Sequence, residues 1–249
     1  MLKQISLLIL CAVAIVFFAT PVHACTSAVV SGKVTPDGRP LLWKNRDTDF
    51  MRNHVDCVKG ERYDFIAVVN SANAYLKEAW MGTNSAGFAL MNTQSYNLVD
   101  VKGDEERGAA NGRVIYRALE VCATVEDFCH FLDTISKPSD IEANFGVIDA
   151  QGGAAMFEVD YYKYVMYDAN NPKDAPYGYI ARTNFSFAGK VNEGAGYVRY
   201  MEADQVLMKA SATGSITPQF IFNDLSRSFR NRMLDIDLRS GVYNRPQAS

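Results

Sequence analysis

The strongest constraint on this chain lies near its start. An apolar run of about fifteen residues, Ile5–Ala19, interrupted only by Ser6, leads through Thr20-Pro21-Val22-His23-Ala24 directly to Cys25. Lys3 supplies the single positive charge ahead of the run. A charged head, an apolar middle and a short exit ending in a small residue make the layout of a secretory signal. The run is short for a membrane span, which needs about twenty residues. Cleavage is therefore expected between Ala24 and Cys25, giving a signal peptide over residues 1–24 and one folded domain over residues 25–249, in the periplasm or secreted. An uncleaved N-terminal anchor shares this composition and is the alternative. No other segment is apolar enough to cross a bilayer, so the mature domain is expected to stay free of the membrane.

A signal that ends at Cys25 makes this cysteine the first mature residue, with its own α-amino group beside its thiol. That amine titrates near 7.7–8.0, against about 8.5 for the thiol. A fraction of the amines is thus uncharged at neutral pH and able to accept the thiol proton, directly or through water. Nucleophile and base then come from one residue, and no histidine is needed. The competing reading is lipidation, since a bacterial lipoprotein signal also ends before a cysteine; Val22-His23-Ala24 is a poor match to such a signal. In that case the chain would be a tethered binding module.

The residue inventory removes other mechanisms. Of three histidines, His23 goes with the signal, leaving His54 in a polar loop and His130 in the helical stretch Phe128-Cys129-His130-Phe131. A Ser-His-Asp triad, a papain-like Cys-His pair and a zinc site all lean on histidine. No metal, nucleotide or redox cofactor is indicated. The net charge of −3, with no concentrated basic stretch, argues against nucleic acid. Cys57, Cys122 and Cys129 are too few for a disulfide scaffold. Cys122 and Cys129, seven apart on one helix, would lie about 10 Å from each other, beyond bridging distance, and read as buried thiols.

Along the chain, Cys25–Gly32 and Leu41–Asp47 flank the turn Thr35-Pro36-Asp37-Gly38 and predict a β-hairpin. Strands are expected at Phe65–Asn70, Ala79–Met81 and Gly87–Asn92, with Gly82–Gly87 as a turn. Gly112–Ile135 shows helical spacing in two pieces, with a cap at Thr124. Strands follow at Phe145–Asp149, Ala154–Val159, Tyr164–Tyr167 and Tyr179–Thr183, then helices at Tyr197–Lys209 and Pro218–Phe229. The succession predicts an α+β layered domain in which helices cover a largely antiparallel sheet. The polar ending Asn244–Ser249 lacks a closing element and suggests a chain truncated at its C-terminus.

Cys25-Thr26-Ser27 together with Leu42-Trp43-Lys44-Asn45-Arg46-Asp47 resembles the opening of the N-terminal-nucleophile hydrolases with a terminal cysteine. Two branches are similar: choloylglycine hydrolase with penicillin V acylase, and the acyl-coenzyme A:6-aminopenicillanic acid acyltransferase-like proteins. Gly82–Phe88 with Met91-Asn92, Asn144–Asp149 with Phe157-Glu158, and Arg182-Thr183-Asn184 resemble the same families in the same order. The likeness spans most of residues 25–210.

The resemblance implies a four-layer αββα sandwich and an enzyme that cleaves a linear amide in a small N-acyl substrate, or an acyltransferase using the same thioester. It places Cys25 as nucleophile, Asp47 as the carboxylate holding the terminal amine, and Asn92 and Asn184 in the oxyanion pocket. Lys44 stands where the choloylglycine branch has an arginine; Arg46, beside Asp47, is the other candidate cation. Alternation along a strand puts Lys44 and Asp47 on opposite faces unless a bulge intervenes. Arg199 resembles a later active-site arginine, at a spacing from Asn184 that favours the acyltransferase-like branch. The residues also allow plainer readings: Asp47 paired with Arg46 on a solvated strand, Arg199 as a helix-surface charge, and Asn184-Phe185-Ser186 as a glycosylation acceptor. A glycan on Asn184 and burial in a cleft exclude one another. The loops Asp49–Asp64 and Ser95–Ala110 carry no motif that fixes the substrate. Trp80 and Tyr161–Tyr167 either line an acyl pocket or pack the core, and a homo-oligomer is left open.

Overall fold

The computed structural model describes residues 24–99 and 108–240. The expected signal ahead of Ala24, residues 100–107 of the second loop and the polar ending fall outside the described residues. In chain order the strands are β1 (Thr26–Val30), β2 (Leu41–Asn45), β3 (Asn53–Val58), β4 (Phe65–Asn70), β5 (Met81–Asn84) and β6 (Ala89–Gln94). After helices α1 (Asn111–Val121) and α2 (Val125–Thr134) come β7 (Ala143–Ile148), β8 (Ala154–Val159), β9 (Tyr164–Asp168) and β10 (Tyr179–Arg182). Helix α3 (Tyr197–Ala212) and the short strands β11 (Arg230–Asn231) and β12 (Ile236–Asp237) complete the described order.

Strands β3 to β9 form one seven-stranded antiparallel sheet in sequence order, and β10-β1-β2 form a second antiparallel sheet. All of β1 is buried because both of its faces are apolar. Ala28 and Val30 pack with Trp43, Ala203 and Leu207 beneath α3. Val29 points the other way and meets Met91, Met156 and Ile180 between the two sheets. The larger sheet has the same two-sided character. Phe145, Val147 and Phe157 face α1 and α2, with Phe128 at the centre of the cluster. Gly146 lies so close to the smaller sheet that a Cβ there would collide with Leu42 and Val29, as well as with Met91 of the neighbouring strand β6. The elements thus pack as a mixed α+β domain, with helices outside and two sheets face to face.

The predicted cap of α2 is present as a capping box: Thr124 Oγ1 accepts from Asp127 N at 3.0 Å, and the Asp127 carboxylate accepts from Thr124 N at 3.2 Å. Several expectations need correction. Part of the loop expected at Asp49–Asp64 is an edge strand, β3. Its residues are mostly exposed, so it takes its order from backbone pairing with β4 rather than from an apolar face. The strand expected at Ala79–Met81 begins at Met81 and runs to Asn84, through half of the predicted turn. The helix expected over Pro218–Phe229 ends earlier, as an α-helical turn over Pro218–Phe220 that continues as a π-helix over Ile221–Leu225. Its end is drawn back to the body of the domain where Trp43 Nε1 donates to Ser226 Oγ at 2.9 Å. Cys122 closes α1 and Cys129 belongs to α2, so they do not share one helix. Cys122 is buried and Cys129 only partly so.

A buried ion pair ties the sheets together. Arg182 Nε donates to Glu158 Oε1 at 2.6 Å, and the two side chains are 3% and 0% exposed. Glu158 also accepts from the N–H groups of Phe187 and Ala188 at 2.8 and 2.7 Å. The guanidinium lies 3.9 Å from the Phe187 ring centroid and 5.1 Å from that of Tyr167. Glu158→Leu strands a buried cation and two amide donors, so a loss of about 3–5 kcal/mol is expected in urea unfolding. An unchanged midpoint would contradict this assignment.

Candidate active site

Cys25 precedes β1 by one residue and is only 7% exposed. Alternation along β1 puts it on the face of Ser27 and Val29, which looks into the gap between the sheets. Its Sγ lies 3.8 Å from the backbone oxygen of Asp47. In this chain the Cys25 nitrogen is still the peptide nitrogen joined to Ala24, and it stands in for the amine that a cut there would release. Ser27 pairs with Lys44 across the hairpin, so the register fixed by the Thr35–Pro40 turn brings Cys25 and the end of β2 together.

Lys44 and Arg46 share the inward face of β2 and its extension. Lys44 is 9% exposed, and its Nζ donates to Trp80 O at 2.9 Å and to Asn92 Oδ1 at 3.0 Å. Burial pulls its pKa from 10.5 down to about 8; Cys25 opposes that shift and Arg46 adds to it. Arg46 donates to Asn53 Oδ1 and, at 2.8 Å, to Asn70 Oδ1, with its guanidinium 5.1 Å from the Trp80 ring centroid. Burial lowers its pKa too, and Cys25 again opposes the shift. Both cations lie within electrostatic reach of the thiol.

Arg199 is the third cation. It lies in the first turn of α3, where Gly196 adopts φ 89°; a Cβ at Gly196 would clash with the Arg199 guanidinium and with Thr183. This left-handed, crowded start requires glycine. Arg199 Nη1 donates to Cys25 O and to Thr26 Oγ1, the latter at 3.0 Å, and Nη2 donates to Asn184 Oδ1 at 2.8 Å. Burial lowers its pKa, whereas Cys25, Asp47 and Tyr96 raise it. The helix-surface reading of Arg199 is therefore wrong.

Asn92 is 4% exposed; with Oδ1 committed to Lys44, its Nδ2 is the group left to donate. Asn184 is fully buried, which rules out the glycan reading, and its Nδ2 donates to Gln94 O at 2.8 Å. Asp47, half-buried just beyond β2, contributes its backbone carbonyl to the thiol and its charge to Arg199. Sequence reasoning missed Thr26, Asn53, Asn70 and the carbonyl of Trp80. The last is a backbone group with no residue signature; the two asparagines look like ordinary strand-end residues. His54 and His130 are both exposed. Tyr164–Asp168 forms the outer strand β9, where Tyr164 packs on Phe157 and Tyr167 on Arg182, so this aromatic run packs the sheet edge. Among the described residues, no group of His, Cys, Asp and Glu is placed to hold a metal, and no helix is long and apolar enough to cross a membrane.

The Lys44 environment sets a pH dependence. Between about pH 8 and 10.5 the unfolded chain holds a proton at this lysine that the folded chain has lost, so folding stability rises with pH across that window. Below it, the penalty for burying the charge is complete. Relative to Lys44→Met, the wild type should gain up to about 1.4 kcal/mol per pH unit there. Paired urea titrations at both ends of the window measure it, and a difference that stays flat or falls would refute a buried, charged Lys44.

A family model described as acyl-coenzyme A:6-aminopenicillanic acid acyl-transferase matches residues 34–211. Among solved structures, a Caenorhabditis elegans N-acylethanolamine-hydrolyzing acid amidase (NAAA) ortholog is similar at TM-score 0.53 and 15% identity, over 81% of this chain and 89% of that one. A mutant of the conjugated bile acid hydrolase from Clostridium perfringens gives 0.45 at 17% identity, over 87% and 76%. Penicillin V acylase from Agrobacterium tumefaciens gives 0.35 at 16%, over 80% and 68%. No curated protein sequence matches. At such identities the amidase structure supports a shared fold and nothing finer. The family match is of another kind, because it covers well over half of the chain in one continuous stretch. The chain belongs to the acyl-coenzyme A:6-aminopenicillanic acid acyl-transferase family.

Proposed function

We propose that the mature protein is an exported amidohydrolase, an αββα sandwich of the N-terminal-nucleophile type that begins at Cys25 once residues 1–24 are removed. The observation that carries this reading is the setting of Cys25, a buried thiol at the head of β1 facing Lys44, Arg46 and Arg199. Cations around a thiol favour the thiolate. In the first step Cys25 Sγ bonds to the carbonyl carbon of a linear N-acyl amide, and the thiol proton passes to the α-amino group. The oxyanion meets the amide donors of Asn92 and Asn184 while Asp47 holds the ammonium. The C–N bond then breaks, the leaving amine takes that proton, and an acyl-thioester remains. Water resolves the thioester, the α-amine removing its proton. No cofactor enters, and the substrate is a small molecule met in the periplasm or outside the cell.

An acceptor amine in place of water would make the same enzyme an acyltransferase, a reading favoured by the family match over residues 34–211. Amine release from a panel of N-acyl amides, with and without an added acceptor amine, separates the two. Release in buffer alone supports hydrolysis. Release that depends on the acceptor, with acyl transfer to it, supports transfer, and release unaffected by Cys25→Ala would contradict both.

A further inference from the structure

The loop after β10 carries Asn184, and its backbone is held chiefly by buried side chains from elsewhere. Asn144, on β7 and fully buried, donates Nδ2 to the carbonyls of Thr183 and Phe185, each at 3.2 Å, and to Thr93 Oγ1 at 3.0 Å. Those two carbonyls flank Asn184 on either side. Asn144 Oδ1 accepts from Ser186 Oγ at 2.6 Å. Asn97 closes the next position, its Oδ1 accepting from Ser186 N at 2.8 Å and its Nδ2 donating to Ser186 O at 2.9 Å. Glu158 then takes the N–H groups of Phe187 and Ala188. A buried loop cannot satisfy its own polar backbone, so these side chains set its path.

An asparagine in the middle of a buried strand is costly unless its amide is fully used, and the apolar residues around it on β7 show what the position would otherwise hold. Asn144 makes no hydrogen bond to Cys25, Lys44 or Arg199. Its bonds reach Asn184 through the main chain, and Asn184 in turn fixes Arg199, whose other nitrogen holds Cys25 O. We infer that Asn144 is a positioning residue for the reaction: it clamps the carbonyls of Thr183 and Phe185, the residues on either side of Asn184, so that the Asn184 amide meets the reacting carbonyl in fixed geometry. This rests on the proposed role of Asn184 as an oxyanion donor. A donor displaced by about 1 Å can lose about 10²-fold in rate.

The test compares Asn144→Ala, Asn184→Ala and the double variant in the full exported protein, with Ser186→Ala as a milder variant that removes one bond of the clamp together with the Ser186–Ser95 hydroxyl contact. Asn144→Ala is expected to lower kcat about 30- to 100-fold with KM little changed, Ser186→Ala less. Alkylation of Cys25 by iodoacetamide, which forms no oxyanion, should stay within about threefold of wild type, a split that general destabilisation would not give. In the Asn184→Ala background, Asn144→Ala should cost less than about threefold more, because the two residues act as one unit. Amide hydrogen exchange in residues 183–188 should rise in Asn144→Ala and Ser186→Ala, with exchange in α1 unchanged. Unchanged exchange in that loop, or full additivity of the two losses, overturns the inference. If Asn184→Ala costs nothing, the oxyanion role of Asn184 fails instead, and the exchange measurement still decides whether the clamp exists.

Discussion

Cys25→Ala is expected to abolish amide cleavage, with a loss on the order of 10⁶ in kcat, the scale seen when a nucleophile that works as part of a unit is removed. Nothing in the described site can replace it. His54 and His130 are exposed, and Cys122 is buried with its pKa pushed up to about 12, chiefly by desolvation. Cys25→Ser should recover little, since a hydroxyl gives up its proton to an α-amine far less readily than a thiol does. Folding should be preserved, because among the described residues the Cys25 side chain makes a single hydrogen bond, a weak one at 3.8 Å to Asp47 O. Urea unfolding of both variants checks that point, and turnover in Cys25→Ala within about tenfold of wild type would end the proposed mechanism.

The second large effect is expected at Asn92. Asn92→Ala should lower kcat by about 10²–10³ with little change in KM, since a donor to an oxyanion acts on charge that appears only in the transition state. The substitution also takes an acceptor from Lys44 Nζ, so a second variant is needed to assign the loss. Asn92→Asp keeps an acceptor for Lys44 and raises the lysine pKa by adding a facing negative charge, yet it lacks the Nδ2 donor. Similar losses in both variants assign the effect to that donor. Activity retained in Asn92→Asp would instead make Asn92 an anchor for Lys44.

Much of this arrangement is legible in the sequence because local chemistry and tertiary packing agree. The hairpin that positions Cys25 follows from alternation on either side of Thr35–Pro40, and the cap of α2 from Thr124 and Asp127. Where the sequence misleads, long-range contacts decide. Strand β3 has no buried face to reveal it. Arg199 looks like a solvated helix residue until the left-handed turn at Gly196 sets it against Cys25 and Asn184. Asn144 is an unremarkable polar residue in a strand until the two carbonyls flanking Asn184 appear above it. A cation's burial and the pull on its pKa, as at Lys44, depend on neighbours far along the chain: Trp80 and Asn92 for its hydrogen bonds, Cys25 for its charge.

The central claim is that Cys25 becomes a free, reactive N-terminal nucleophile. The most direct measurement is the intact mass of the protein exported from a Gram-negative host, taken with and without brief iodoacetamide treatment at neutral pH, with peptide mapping of the alkylated site. The proposed mechanism predicts a chain that begins at Cys25, carries no other modification, and is alkylated at that residue well ahead of exposed Cys57. A mass that retains residues 1–24, a lipid on Cys25, or a Cys25 that alkylates no faster than Cys57 would contradict it.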